Sequence, residues 1–185
     1  MDVAGLDDLL RRARGRDPDA LSRLVAVYSE RVFGLLYRLT GSRDVAEDLL
    51  QETFLRVVRS IEDYEHTGRF ESWLFRIAAN LARDRARRHG RPPVASIDDV
   101  DVDAGRLVPA GDNPAERVAD GDERRRLEAA LARLPDLDRE IIALRHYSVL
   151  PFREIAELLG VPLGTALARA HRALVHLRRE LGEES

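Results

Sequence analysis

Apolar residues recur along most of this chain at intervals of three and four, the repeat of an amphipathic helix, and no stretch carries the pattern typical of a strand. The longest stripe is Leu21, Leu24, Val25, Tyr28, Val32, Leu35, Leu36 and Leu39. It follows Asp17 and Pro18, a side-chain cap and a first-turn proline, and stops at Gly41. A weaker helix is predicted before it over 6–13. Ser42 restarts the chain, and Ala46, Leu49, Leu50, Thr53, Phe54, Val57, Val58 and Ile61 form a second stripe. Asp44, Glu47 and Asp48 lie near its start, where the helix dipole favours carboxylates. After a polar loop over 62–69, Phe70, Trp73, Leu74, Ile77, Ala78 and Leu81 make a third stripe whose end is crowded with Arg83, Arg85, Arg87, Arg88 and Arg91. Three such helices with short connections predict a bundle.

Over 90–114 the periodicity disappears, replaced by Pro92-Pro93, Asp98-Asp99, Asp101, Asp103, Pro109, Gly111 and Asp112. A structureless stretch of about 25 residues is unusual inside one compact domain and fits an acidic, flexible linker between two. Asn113-Pro114-Ala115-Glu116 then has the order of a capping box. Leu127, Ala130, Leu131 and Leu134 continue that helix, Pro135 ends it, and another is predicted over 136–147. The expected fold is all-α: two small helical domains joined by a flexible acidic linker.

The second domain ends in a predicted helix-turn-helix. Pro151 opens a short helix, Gly160 permits a left-handed turn, and Pro162 starts a second helix near its first turn. Ile155, Leu158, Leu159 and Val161 supply the small core, with Ala156 where the helices cross. In the arginine-bearing helix over 166–181, Ala166, Ala170, Ala173, Leu174, Leu177 and Leu181 are expected to face inward. Thr165, Ala168, Arg169, His171, Arg172 and His176 are left outside or on the flanks. Two readings fit that outer face: contact with phosphates and guanine edges in a major groove, or a solvated basic surface.

Charge narrows the possibilities. With a formal net charge of −3 over 185 residues, nucleic-acid binding must come from local patches. All 30 basic residues other than histidine are arginine, which suits bidentate contact with phosphate and guanine. The absence of cysteine excludes disulfides, cysteine-ligated zinc and thiol catalysis. The acidic amino-terminal stretch lacks a signal-peptide core, and no apolar run reaches the ~18 residues of a membrane span. A cytoplasmic protein without membrane insertion is expected.

Four motifs, in order, resemble those of the extracytoplasmic-function (group IV) sigma factors of bacterial RNA polymerase. They are Ala46-Glu47-Asp48-Leu49-Leu50-Gln51-Glu52-Thr53-Phe54-Leu55, Phe70-Glu71-Ser72-Trp73-Leu74-Phe75-Arg76-Ile77-Ala78-Ala79-Asn80, Leu134-Pro135-Asp136-Leu137-Asp138-Arg139-Glu140, and Arg153-Glu154-Ile155-Ala156 through Gly164-Thr165. The resemblance covers nearly the whole chain. It implies a region 2 type bundle over 1–91, a linker over 92–113 and a region 4 type helix-turn-helix domain over 114–185. It implies docking on core RNA polymerase through Glu47, Asp48, Leu49, Gln51, Glu52 and Leu55. It further implies minus-ten promoter DNA contacts through Tyr64, His66, Arg69, Arg76, Asn80, Arg83, Arg87 and Arg88, and minus-thirty-five contacts through Arg153, Thr165, Ala168, Arg169, His171 and Arg172. Relatives are commonly held by an anti-sigma factor, an expected partner here.

The chain departs from the family after Gly164-Thr165, where Ala166, Leu167 and Ala168 stand in place of a pattern containing a cation and a hydroxyl. Each lost contact weakens binding by roughly 1 to 3 kcal/mol, so promoter sequence does not transfer from relatives. His171 and His176 are five apart, the wrong spacing for two metal ligands on one helix face. Asp7-Asp8 and Asp98-Asp99 lack a nearby histidine or nucleophile, and no phosphate-binding glycine loop occurs. No catalytic activity, cofactor, metal or small-molecule substrate is expected. The linker aspartates fit either phosphate mimicry in the polymerase cleft or plain solubility. Two other classes stay open on the residues alone. A stand-alone helix-turn-helix regulator would have no use for the 46–55 motif, and an enzyme with a DNA-binding tail would need a catalytic constellation that the sequence does not display.

Overall fold

The computed structural model of the chain describes residues 3–65, 68–89, 125–148 and 150–182. The linker and the Asn113-Pro114 cap lie outside them. Among the described residues there are eight helices and no strand: α1 Val3–Arg14, α2 Pro18–Thr40, α3 Arg43–Ser60, α4 Phe70–Arg88, α5 helical over 125–132, α6 Asp136–Tyr147, α7 Phe152–Leu159 and α8 Leu163–Leu181.

The boundaries follow from capping chemistry. At the start of α2 the Asp17 carboxylate accepts from the amides of Asp19 and Ala20, and at its end Gly41 adopts φ 66° and donates to the Tyr37 carbonyl. Ser42 caps α3 through the Val45 amide. Gly160, at φ 68°, closes α7. Two elements are longer than the sequence pattern predicts. The first helix starts at Val3 and runs through Arg14 rather than spanning 6–13, and α8 begins at Leu163, three residues before the expected start, because Pro162 sets the first turn.

In the first group, α2 is the central helix and packs against α1, α3 and α4. Leu24, Tyr28, Val32, Leu35, Leu36 and Leu39 of α2 are buried with Ala46, Leu49, Phe54, Val57 and Ile61 and with Phe70, Leu74, Ala78 and Leu81. Buried Thr53 is satisfied within α3 by donating to the Leu49 carbonyl at 2.7 Å. In the second group α6 packs on α7 and α8, and α2 of the first group lies against α6. One continuous apolar cluster therefore runs from α1 to α4 into Ile141, Leu144, Ile155, Leu159 and Ala166.

The seam is tight at Gly34 of α2. A Cβ placed there would lie 2.5 Å from the Tyr147 ring, so glycine is what lets α6 approach. Nearby, Arg31 donates to the Tyr147 carbonyl at 3.3 Å and lies over the Phe75 ring at 5.0 Å. Arg38 meets Glu128 at 3.4 Å. In α8 the buried arc is Ala166, Ala170, Ala173 and Leu177, whereas Leu174, expected inward, is 46% exposed. At 100° per residue Leu174 stands about 70° round from the centre of that arc, beyond the reach of α6 and α7.

Candidate nucleic-acid interface

On α4, Arg76, Asn80, Arg83 and Arg87 fall within an arc of about 60° at 100° per residue, and Arg69 at the amino-terminal cap continues the same line. Asn80 and Arg87 are exposed. Arg88 lies about 120° away on the helical wheel and is not part of that face. His66 lies outside the described residues. Tyr64 is 8% exposed, its ring 4.8 Å from Trp73 and 5.7 Å from Phe70, an aromatic cluster that fixes the loop on the start of α4.

The arginines of this face already have partners from the second group. Arg76 donates to Glu154 at 2.9 Å, and Arg69 stands 3.9 Å from the same carboxylate. Arg83 donates to the carbonyls of Leu158 and Leu159, at the end of α7 where helix carbonyls lack intrahelical donors, and lies 3.8 Å from Glu140. Glu140 is buried with its Oε1 accepting no hydrogen bond. Burial pushes its carboxyl up to about 7, with Arg83 opposing and Asp136 adding to the rise. Arg87 instead pairs with Asp84 one turn back, and Arg88 donates to the Asp84 carbonyl.

The helix-turn-helix places its predicted residues in two groups. Arg153, Ala168, His171 and Arg172 are exposed, Thr165 is half-buried, and Arg153 stands 3.5 Å from Glu157. Arg169 turns sideways and donates to Asp138 of α6 at 2.7 Å, so it braces α8 on α6. His171, Arg172 and Arg179 line one shallow basic hollow on the outer face.

On α3, Glu47, Asp48, Gln51 and Leu55 form an exposed ridge, Leu55 being 49% exposed, with Glu52 at its edge. Glu47 pairs with Arg43 and Glu52 with Arg56, both at i,i+4 spacing. Leu49 is buried beneath the ridge and anchors it.

Sequence reasoning did not find Glu140, Glu154, Arg31 or Gly34 as parts of this surface. Gly34 carried a signal, since a glycine inside a strongly apolar helix marks a close approach. The two glutamates carried none, because their partners lie far away in the chain.

Comparison with known proteins agrees with this geometry. Residues 24–92 match the Sigma-70 region 2 family and residues 124–177 the Sigma-70 region 4 family. The ECF RNA polymerase sigma factor SigE of Mycolicibacterium smegmatis is 42% identical over 88% of this chain, which spans 62% of that protein. The ECF RNA polymerase sigma factor SigW of Bacillus subtilis is 31% identical over 93% of this chain and 94% of its own length. The RNA polymerase sigma factor CarQ of Myxococcus xanthus is 41% identical, covering 94% of this chain and 96% of that one. Among solved structures, the sigma factor RpoE bound to the anti-sigma factor NepR from Bartonella quintana has TM-score 0.61 at 22% identity, over 89% of this chain and 98% of the other.

Proposed function

Because the chain belongs to the extracytoplasmic-function sigma factors of bacterial RNA polymerase, we propose that its surfaces divide the work of promoter-specific initiation. As a sigma factor it is a transcription-initiation factor and not an enzyme. The region 2 type unit over 1–91 docks core polymerase through the α3 ridge of Glu47, Asp48, Gln51, Glu52 and Leu55, with Leu49 as its buried base. It reads minus-ten DNA through Arg69, Arg76, Asn80, Arg83 and Arg87, with His66 as a further contact from the preceding loop; Tyr64, buried against Phe70 and Trp73, supports that loop, and Arg88 stands off this face. The region 4 type unit over 114–185 reads minus-thirty-five DNA through Arg153, Thr165, Ala168, His171 and Arg172, Arg169 bracing the reading helix from its flank. Residues 92–113 link the two.

The observation that supports this reading most directly is the convergence of four arginines and Asn80 on one side of α4, a spacing suited to successive phosphates and a captured base. No helix among the described residues is long and apolar enough to cross a membrane, which agrees with a cytoplasmic site of action. An anti-sigma protein is a further proposed partner. Leu163, Leu167 and Leu174, each about 45% exposed along one side of α8, are apolar surface suited to a protein partner.

The test is titration of labelled protein into core polymerase without DNA, followed by promoter-dependent transcription with the complex. Specific initiation that is lost when Glu47 and Asp48 are replaced by Ala, and slowed at open-complex formation by Arg76→Ala, is the expected result. Failure of folded, inhibitor-free protein to bind cognate core would refute it.

A further inference from the structure

Where α2, α5, α6 and α8 meet, the packing leaves a cavity of about 160 Å³. Its walls are mainly apolar: Leu127 and Leu131 from α5, Ile142 and Ala143 from α6, and Leu177 from α8. Rings supply much of the remaining lining. Tyr37 of α2 is buried and stacked on Phe33, and His146 and Tyr147 of α6 stand edge to face with their centres 4.8 Å apart. The volume is close to the ~150 Å³ at which an engineered apolar cavity stays dry and accepts benzene.

Arg38 and Arg139 border the cavity, and both are already committed. Arg38 meets Glu128 at 3.4 Å. Arg139 donates to the carbonyls of Leu131, Ala132 and Leu134 at 3.0 Å and has Asp136 at 3.5 Å. Each cation is therefore balanced by a carboxylate, and the cavity offers an anion no unsatisfied donor of this kind. His146 differs: its ring is exposed at the edge of the cavity and has no hydrogen-bond partner among the described residues.

We propose that this cavity is a binding site for a neutral, ring-sized aromatic molecule with one polar edge, of the indole or phenol class, its ring among the apolar and aromatic walls and its N–H or O–H towards His146. Tyr37, His146 and Tyr147 favour such a ring over an aliphatic body of equal volume through edge-to-face and offset contacts. A carboxylate analogue such as benzoate would lose its hydration without gaining a partner. Because the walls come from α2 on one side and α5, α6 and α8 on the other, the occupant contacts both helical groups and favours the arrangement in which they meet. The site does not depend on the DNA contacts assigned above.

The test is calorimetric titration of indole into the full chain, with thermal unfolding followed by circular dichroism. Saturable binding with a dissociation constant on the order of 0.1 mM is expected for a ligand of this size. At about twentyfold that concentration the unfolding midpoint should rise by about 4 to 7 °C. Ala143→Leu fills the cavity from α6, and Leu127→Trp fills it from α5 with an indole of its own. Each should abolish indole binding with the helices intact, and filling from two walls keeps the test decisive if one variant does not fold. His146→Ala should weaken indole about fivefold and leave benzene unchanged, and benzoate should bind at least about tenfold more weakly than indole.

Absence of saturable heat up to about 2 mM indole, or binding that survives both filling variants, would overturn the proposal. Benzoate binding as tight as that of indole would overturn it too, since Arg38 or Arg139 would then be open to an anion. Unchanged indole affinity in His146→Ala would remove the polar edge, and the assigned ligand class with it.

Discussion

Glu140 makes the stability of this protein depend on pH in a window where carboxylates ordinarily have no effect. The side chain is 3% exposed, its Oε1 accepts no hydrogen bond, and its nearest cation, Arg83, stands at 3.8 Å without donating to it. Burial disfavours the charged form and raises the carboxyl from its ordinary 4.5 to about 7. Arg83 from α4 works against the rise and Asp136 on its own helix reinforces it. The folded chain therefore holds a proton that the unfolded chain has released between those two values. Stability from this group is full below about 4.5, is lost as pH rises towards about 7, and is level above. At about 1.4 kcal/mol per tenfold in proton affinity, the loss amounts to about 3 kcal/mol. The measurement is urea unfolding of wild type and Glu140→Gln at half-unit steps from pH 5 to pH 8. Glutamine keeps the shape and removes the titration, and subtraction cancels the other groups, so wild type should lose about 2 to 3 kcal/mol relative to the variant across the range. A difference flat to within about 0.5 kcal/mol would mean that Glu140 is solvated or hydrogen-bonded in the folded protein, refuting the reasoning.

Gly34→Ala should forfeit the gain of about 1 kcal/mol that alanine brings inside a helix, and instead lose about 1 to 2 kcal/mol through the clash with Tyr147. Tyr147→Ala in the same background should relieve that clash, which a double-mutant cycle by urea unfolding would read. Arg139→Met removes donors that reach the carbonyls of Leu131, Ala132 and Leu134 at 3.0 Å and anchor the end of α5 on α6. A loss of about 2 to 4 kcal/mol is expected, since hydrogen bonds from charged donors are the stronger kind, and thermal unfolding checks it. Arg172→Ala and Arg169→Ala should part company. The first leaves stability unchanged and flattens the salt dependence of promoter binding by the polymerase complex by about one phosphate. The second strands Asp138, whose side chain is 7% exposed, and destabilises the fold by about 1 to 3 kcal/mol.

How far the fold was legible in the sequence depended on how local each cause was. Asp17 with Pro18, Ser42 and Gly160 act within a few residues, and the boundaries they set for α2, α3 and α7 stand where the pattern put them. Periodicity identified one buried stripe for each helix, but α4 buries a second. Phe75, Ala79 and Ala82 are covered as fully as Leu74 and Leu81. A stripe shows that a face is apolar, and a helix with two neighbours carries two such faces that blur into one broad arc. Leu174 failed for the opposite reason: it has the right residue type and nearly the right phase, but α6 and α7 do not extend over it. Arg169 has the chemistry of a DNA contact and is spent on Asp138, a partner 31 residues earlier that no helical spacing connects to it.

The same limit separates the chemistry of the α4 face from its state. Arg76, Asn80, Arg83 and Arg87 are a pattern within one helix, so their alignment is fixed by the 3.6-residue turn before any tertiary structure forms. Their occupancy is not local: Glu154 lies 78 residues beyond Arg76, and Leu158 lies 75 beyond Arg83. A row of cations suited to phosphates is equally suited to carboxylates and helix-end carbonyls, and folding brings those acceptors close in the same chain. A surface of this kind finds the nearest oxygen-rich partner unless another element holds that partner away.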